Sequence, residues 1–330
     1  MQNHGLILDD KVNIKDWRFG DVTGIMSGVR EPDRNWTEYL PFLEIQRSKY
    51  FDSMCCTNYS FLNTVETLLG CMQMNNEISK KNMKWLKESS IFNKGKYDCS
   101  DRWSAISSGT TNKGNLMVNP VKAAHKYGLV SETEFGWDKE EVTKFKDYIS
   151  VSPLKKKALA EKANEWNDRF KINYEWVIPT EKVIREALLY SPLQVCGYAW
   201  DKPKKNVYQR TEKQANHAFM IYKVDDYFYI YDHYTKDKKK LALNYKFWAV
   251  LKYNIEEIKS MPIVTIPDNT LVQEVEESGA FGLVLNNKIM VGDLAKLLAT
   301  YLMRNSNETM ALKKEVWDSF PKINLRKENV

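Results

Sequence analysis

Two adjacent cysteines, Cys55 and Cys56, stand at the polar end of the stretch Phe51 to Gly70, FDSMCCTNYSFLNTVETLLG, where a reactive thiol could be built. After them Tyr59, Leu62, Val65 and Leu69 recur at three- and four-residue intervals, the period of a helix with an apolar face, and Gly70 suits a left-handed stop. Cys56 is then the first residue of a buried helix of roughly 14 residues, about 20 Å long. A thiol there lies among backbone N–H groups that lack intrahelical acceptors, at the positive end of the helix dipole, and both favour the thiolate. The thiolate is the nucleophilic form. A small apolar filler is the other reading of a buried cysteine, so residues elsewhere must decide.

A general base for that thiol is an imidazole with an acceptor on its second nitrogen. A two-residue turn at Val224-Asp225 sets His217 directly opposite Asp232 across a hairpin; a turn at Asp225-Asp226 moves the pair off register. His233 and Asp226 fit the same description. Together these residues form the set that a cysteine-nucleophile hydrolase needs. Cys56 attacks a carbonyl carbon, His217 takes its proton and returns it to the leaving amine, and Asp232 orients the imidazole. The side-chain amide of Gln46 and the backbone N–H of Cys56 bind the oxyanion. No cofactor and no metal is called for.

The elements that must position these groups change along the chain. Residues 1–45 read as an irregular wrap with short extended pieces, too short for a folded inhibitory pro-domain, with Trp17, Pro32, Trp36, Tyr39 and Pro41 at loop-like spacing. A helix is expected at about Asn76 to Lys87, a long polar loop over Asn93 to Asn115, and a helix opened by Asn119-Pro120 and closed by Gly128. Asp138 and Glu141 form a capping box for a helix through Tyr148, and Ala158 to Phe170 is helical. From there strands dominate: Ile172 to Ile178, Leu193 to Trp200, His217 to Tyr222, Tyr227 to Tyr231 and Leu241 to Tyr253, with one helix over Thr180 to Tyr190. The chain is therefore read as α+β, with a helical part over 46–170, a sheet part over 171–260, and the site between them. Pro262 and Pro267 lead into a small C-terminal unit, 261–330, with a hairpin turning at Asn286-Asn287 and a helix from about Asp293 to Arg304.

The residues also resemble, patch by patch and in order, the papain-like cysteine peptidases. Cys56-Thr-Asn-Tyr-Ser-Phe-Leu-Asn-Thr-Val-Glu66 is similar to that family's nucleophile helix, and Gln46 matches its oxyanion glutamine. Asn216-His217-Ala218 resembles its histidine strand, with Asp232 where the family carries an orienting Asn. Asn112-Lys113-Gly114-Asn115 resembles the segment whose last glycine pairs with the substrate backbone, and Ser191 to Val195 the strand entering the sheet part. The resemblance covers roughly residues 15–255 and implies a two-subdomain papain-like fold with a C-terminal α/β appendage. It also implies peptidase activity on a protein or peptide, with Gly114, Asn112 and Asn216 at the substrate. The departures are Thr57 in place of the family's Trp, a longer interval from Gln46 to Cys56, and His233-Tyr234 in place of Ser-Trp. Two alternatives stay open: a degenerate papain-fold structural or virion-associated binding protein, and a hydrolase or acyl transferase acting on cell-wall peptides. Trp103, Tyr198 and Trp200 are cleft candidates whose commoner role is aromatic core.

Bulk properties narrow the class. The 330 residues carry a formal charge of +6, dispersed through Lys155 to Lys157, Lys204-Lys205 and Lys238 to Lys240 among acids. This reads as solvated faces, with no basic stripe interleaved with aromatics for a nucleic acid. The five cysteines include no pair at zinc-ligand spacing, and no disulfide framework is expected. The N-terminus lacks the pattern of a signal peptide and no apolar run approaches a membrane span. A protein of a reducing, cytoplasmic or virion-associated setting is expected, of intracellular, bacterial or bacteriophage type. No membrane partner is expected, and an assembly partner only through the C-terminal unit.

Overall fold

Helix α1 (Cys56–Met74) is the element against which the others pack, and it is buried on nearly every side from Cys56 to Met72. It starts where expected but does not stop at Gly70. That glycine lies inside the helix, where an added Cβ would come 3.1 Å from the Tyr39 carbonyl oxygen, so its small size serves a close backbone approach rather than a turn. A helix buried all round needs its polar residues satisfied internally. The hydroxyls of Ser60, Thr64 and Thr67 donate to the carbonyls of Cys56, Ser60 and Asn63 at 2.7, 2.7 and 2.6 Å. Asn58 donates to Ser104 and Ser108 and accepts from Thr110, each at 2.9 Å.

A computed structural model describes residues 5–8, 19, 28–199, 207–210, 214–235 and 239–258, together with C-terminal strands at 271–274, 281–285, 288–291, 309–312 and 322–324. The chain divides into two units, Met1–Ile258 and Lys259–Val330. After α1 come α2 (Lys80–Glu88), α3 (Asp101–Ser108), α4 (Asn119–Tyr127), α5 (Glu132–Phe135), α6 (Phe145–Tyr148), α7 (Pro153–Asn167) and α8 (Glu181–Ala187). Ser79, Ser100, Ser131 and Ser152 cap α2, α3, α5 and α7 through their hydroxyls. The stretch read as one long loop, 93–115, contains α3, which the Ser100 cap and the left-handed Gly109 (φ 75°) delimit. The Asp138 turn forms, with the carboxylate accepting from Glu140 and Glu141 N–H groups, but the helix beyond it shrinks to one turn. Gly128 closes α4 at φ 77°, as expected, where a Cβ would strike the Ala163 carbonyl.

The strands of this unit are β1 (Leu6–Ile7), β2 (Phe92–Asn93), β3 (Lys96–Tyr97), β4 (Asn115–Leu116), β5 (Phe170–Trp176), β6 (Leu193–Gly197), β7 (His217–Val224), β8 (Tyr227–Tyr231), β9 (Lys239–Ala242) and β10 (Ala249–Glu257). Six of them make one sheet in the order β5-β10-β6-β7-β8-β9, all paired antiparallel. The single strand expected over Leu241 to Tyr253 is two, separated by the turn at Leu243 to Trp248. Gln194 on β6 ties the sheet to α1, donating to the Thr57 carbonyl and Ser60 Oγ at 2.8 Å each. Phe61 and Tyr253 meet edge to face at 5.4 Å in the same layer. This arrangement of helices on one part and an antiparallel sheet on the other is the expected α+β class.

The second unit holds β11 (Leu271–Glu274), β12 (Phe281–Leu285), β13 (Lys288–Val291), β14 (Thr309–Leu312) and β15 (Lys322–Asn324) in the order β14-β11-β12-β13-β15. Leu285 pairs with Lys288, so the strands flanking Asn286-Asn287 form the expected hairpin. The helix expected over Asp293 to Arg304 lies outside the described residues.

Candidate active site

Cys56 is the first residue of α1 and fully buried, and the Ala218 N–H points at its sulfur. Ala218 follows His217 on β7, so the helix start and the histidine strand meet at this sulfur. Cys55 faces elsewhere: its Sγ lies 2.9 Å from the Ser53 carbonyl, among Tyr59, Ala105, Trp137 and Tyr148. Burial pushes the Cys55 thiol up to about 12 and raises the Cys56 thiol well above its ordinary value, against the Ala218 N–H, which lowers it. Cys71, Cys99 and Cys196 are also free and buried.

His217 Nε2 donates to Asp232 Oδ1 at 2.9 Å, with both residues buried. The register that brings them together is not the directly opposed one. Met220 faces Tyr231 and Ile221 faces Ile230, with the turn at Asp225-Asp226 and a bulge between Ile221 and Lys223. Continued to the end of β8, this register sets Asp232 opposite Phe219, two residues from His217. A shift of two keeps the same face, because side chains alternate, and the diagonal neighbours remain within reach. Asp232 Oδ2 accepts from Lys239 Nζ at 2.6 Å, and Lys239 also reaches Thr235 Oγ1 at 2.5 Å. Burial works to raise the Asp232 carboxyl, but the His217 hydrogen bond, the neighbouring imidazoles and the Lys239 ammonium outweigh it and hold the group well below the carboxylate range.

Gln46 is fully buried and held as a short antiparallel bridge carries the chain from Arg47 to Asp52. Its Nε2 donates to Asp52 Oδ1 at 2.8 Å and to the Tyr234 hydroxyl at 2.6 Å, and Tyr234 donates to Asp52 Oδ2 at 2.5 Å. The ring of Tyr234 stands edge-on to His217 at 5.1 Å, an aromatic shield where the Ser-Trp of the resemblance is absent. His233 stacks on Tyr59 at 5.2 Å and meets His217 edge-on at 5.4 Å. Its burial lowers the imidazole to about 3.

The expected substrate residues divide. Gly114 is buried at φ 101°, but its N–H and carbonyl both pair with Thr111, at 2.9 and 3.1 Å. The N–H that reaches a neighbouring strand is that of Asn115, which donates to the Gly5 carbonyl at 2.9 Å as β1 pairs parallel with β4. Asn112 is exposed in the turn. Asn216 is buried, its Oδ1 accepting from Ala199 N–H at 2.8 Å. Trp103 is core, with Nε1 donating to Gly128; Tyr198 is buried under the Arg210 guanidinium; Trp200 lies outside the described residues. Gly5 is wedged between the Met54 backbone and Gly114: a Cβ there would sit 2.4 Å from the Met54 oxygen, two residues before Cys56. Sequence reasoning missed Gly5, Asp52 and Lys239. Tyr234 had a legible signal, as an aromatic two residues after Asp232.

Among the described residues two trios of side chains bring donor atoms within 4.8 Å of one another, His217, Asp232 and His233, and Glu44, Asp101 and Glu132. In the first, the Asp232 oxygens are engaged by His217 and Lys239. In the second, burial and mutual repulsion raise the carboxyls, Glu132 to about 8. No described helix is long and apolar enough to cross a membrane.

No family model matches this sequence, and no curated protein matches it. Solved structures do. Xylellain, a cysteine protease from Xylella fastidiosa, aligns over 78% of this chain and 97% of its own, at 13% identity and a TM-score of 0.50. Digestive procathepsin L 3 of Tenebrio molitor larval midgut aligns over 66% of this chain and 68% of its own, at 13% identity and a TM-score of 0.41. A structure of the mite allergens Blo t 1 and Der p 1 aligns over 72% and 74%, at 10% identity and 0.40. The likeness to xylellain carries the conclusion about architecture: this chain has the α+β, two-part fold of the papain-like cysteine proteases.

Proposed function

We propose that this chain is a cysteine-nucleophile hydrolase of peptide or isopeptide bonds, with Cys56 as nucleophile, His217 as general base and acid, and Asp232 orienting the imidazole. The observation that carries the reading is the buried His217–Asp232 hydrogen bond on the strand whose Ala218 N–H meets the Cys56 sulfur. Attack by sulfur on a carbonyl forms the C–S bond as His217 takes the thiol proton. That proton then goes to the leaving amine, and water releases the acyl group by the same route in reverse.

The arrangement is a resting one. Gly5 to Leu8 lies along the Asn115 edge beside Met54, Cys56 is covered, and burial keeps its thiol protonated. Gln46 has both amide hydrogens committed to Asp52 and Tyr234, so in this reading it joins the Cys56 N–H at an oxyanion only after one of those bonds is exchanged.

The test is labelling with a peptidyl electrophile, mapped by peptide and followed against pH. Selective modification of Cys56 is expected, with thiolate behaviour below about pH 8.5 in the opened site that a peptidyl electrophile must enter and not in the covered resting one. His217→Ala should slow it about 100-fold or more, Cys56→Ala should abolish it, and Cys55→Ala should leave most of it. Slow labelling spread over several cysteines with an ordinary thiol profile would overturn the reading in favour of a binding protein.

A further inference from the structure

Three successive strands each deliver one group to a single buried line. His217 opens β7, Asp232 follows the end of β8, and Lys239 opens β9, where it pairs with Ile230 on β8. The two carboxylate oxygens are divided, Oδ1 to the imidazole at 2.9 Å and Oδ2 to the ammonium at 2.6 Å, and the side chains of Asp232 and Lys239 are 1% and 3% exposed. The ammonium is itself held, by Thr235 Oγ1 and over the ring of Tyr208 at 5.5 Å.

We propose that Lys239 is a positioning residue of this site: it fixes the plane of the Asp232 carboxylate and balances its charge, so that the pair presents His217 with an acceptor of no net charge, as a neutral amide would. This rests on the hydrolase reading above. A lone buried carboxylate would demand a proton or a cation, and the nearest supplier would be the imidazole itself, held cationic beyond the point where it must give its proton to a leaving amine. With Lys239 in place that demand is met from the far side. An exposed lysine would not do this, because water would screen it.

The titratable groups facing the pair are His217 from β7, His233 and Tyr234 beyond β8, and Tyr208. A charge-swap cycle separates electrostatics from packing. Lys239→Met leaves the carboxylate unbalanced, Asp232→Asn leaves the ammonium unbalanced, and the double substitution removes both charges at nearly constant shape.

His217 is titrated by imidazole NMR in each, and Cys56 labelling is followed against pH. The expected result is a midpoint for His217 about one unit or more higher in Lys239→Met and lower in Asp232→Asn, each unit being 1.36 kcal/mol. The His217 midpoint of the double variant should return close to that of the unsubstituted chain. If Lys239→Met fails to fold, the charge-free double variant still answers. A double variant no better than the singles, or a His217 titration indifferent to Lys239, overturns the proposal. Inert Cys56 in the unsubstituted chain with the NMR shifts as expected would instead overturn the hydrolase reading and leave the charge balance standing.

Discussion

His233 touches the candidate site through its backbone and not its ring nitrogens: its carbonyl accepts from the Gln46 N–H at 3.0 Å, its fully buried ring lies between Tyr59 and His217, and neither ring nitrogen has a hydrogen-bond partner among the described residues. Held neutral with a folded value of about 3 against an ordinary 6.5, it makes stability depend on pH in one direction. Its contribution is complete above pH 6.5 and is lost as pH falls toward 3, because only the unfolded chain takes up the proton in that window. At pH 5 the loss from this residue is about 2 kcal/mol. His233→Phe keeps the ring and removes the titration, so the difference in unfolding free energy between pH 7 and pH 5, measured by urea melts, should shrink by about that amount. An unchanged difference would mean that the imidazole takes up its proton in the fold as readily as in the unfolded chain. Asp232 adds a loss of the same sign at lower pH, below the ordinary carboxylate value, since its folded value is depressed.

At the scale of elements, the short pairing of β1 with β4 has an effect out of proportion to its two residues. Gly5 adopts φ 100°, and a side chain there meets the Met54 carbonyl, so Gly5→Val should expel the segment while α1 and the sheet stay intact. Labelling of Cys56 should then rise about tenfold or more, equivalent to ~1.4 kcal/mol of segment docking. A rate identical to the unsubstituted chain, with unchanged circular dichroism, would show that Gly5 does not guard the thiol.

Elements were legible where local chemistry alone decides them. The start of α1, the Asn119-Pro120 to Gly128 helix and the aromatic strands could be read from periodicity and end signals. Gly70 could not, because its reason is the Tyr39 backbone, distant in sequence and close in space. The α3 helix was hidden in a polar stretch because its Ser100 cap and Gly109 stop flank few apolar residues. His217 and Asp232 were named as partners through a register that does not form; alternation preserved the face, and the diagonal closed the gap. Lys239 was invisible among the lysines of 238–240, because burial of one lysine in such a run depends on strand pairing and leaves no mark in composition.

For the molecule as a whole, every group argued to act lies between Gly5 and Tyr253, within the first of the two units. A chain ending at Ile258 should therefore keep the His217 titration and the Cys56 labelling rate of the full chain, within about threefold, when both are measured side by side. A collapse of either would assign residues 259–330 a part in holding the site. The α+β class could be read in advance because helical and strand periods segregate along the sequence. Short extended pieces in the N-terminal wrap are legible as such, but the place of the strand at Leu6–Ile7 is not, since two residues carry no period.

The Asp232–Lys239 pair also has a meaning for inheritance. Neither charge is needed to fill the space between β8 and β9, and apolar residues of similar volume commonly serve a fold as well or better. A lineage that had stopped using His217 would be free to lose the pair, while α1, Cys56 included, would be retained by its packing. Among relatives of this chain, the two positions should therefore change together, as acid with lysine or as amide with an uncharged residue. Their drift out of step would date the loss of the reaction better than any change at the thiol.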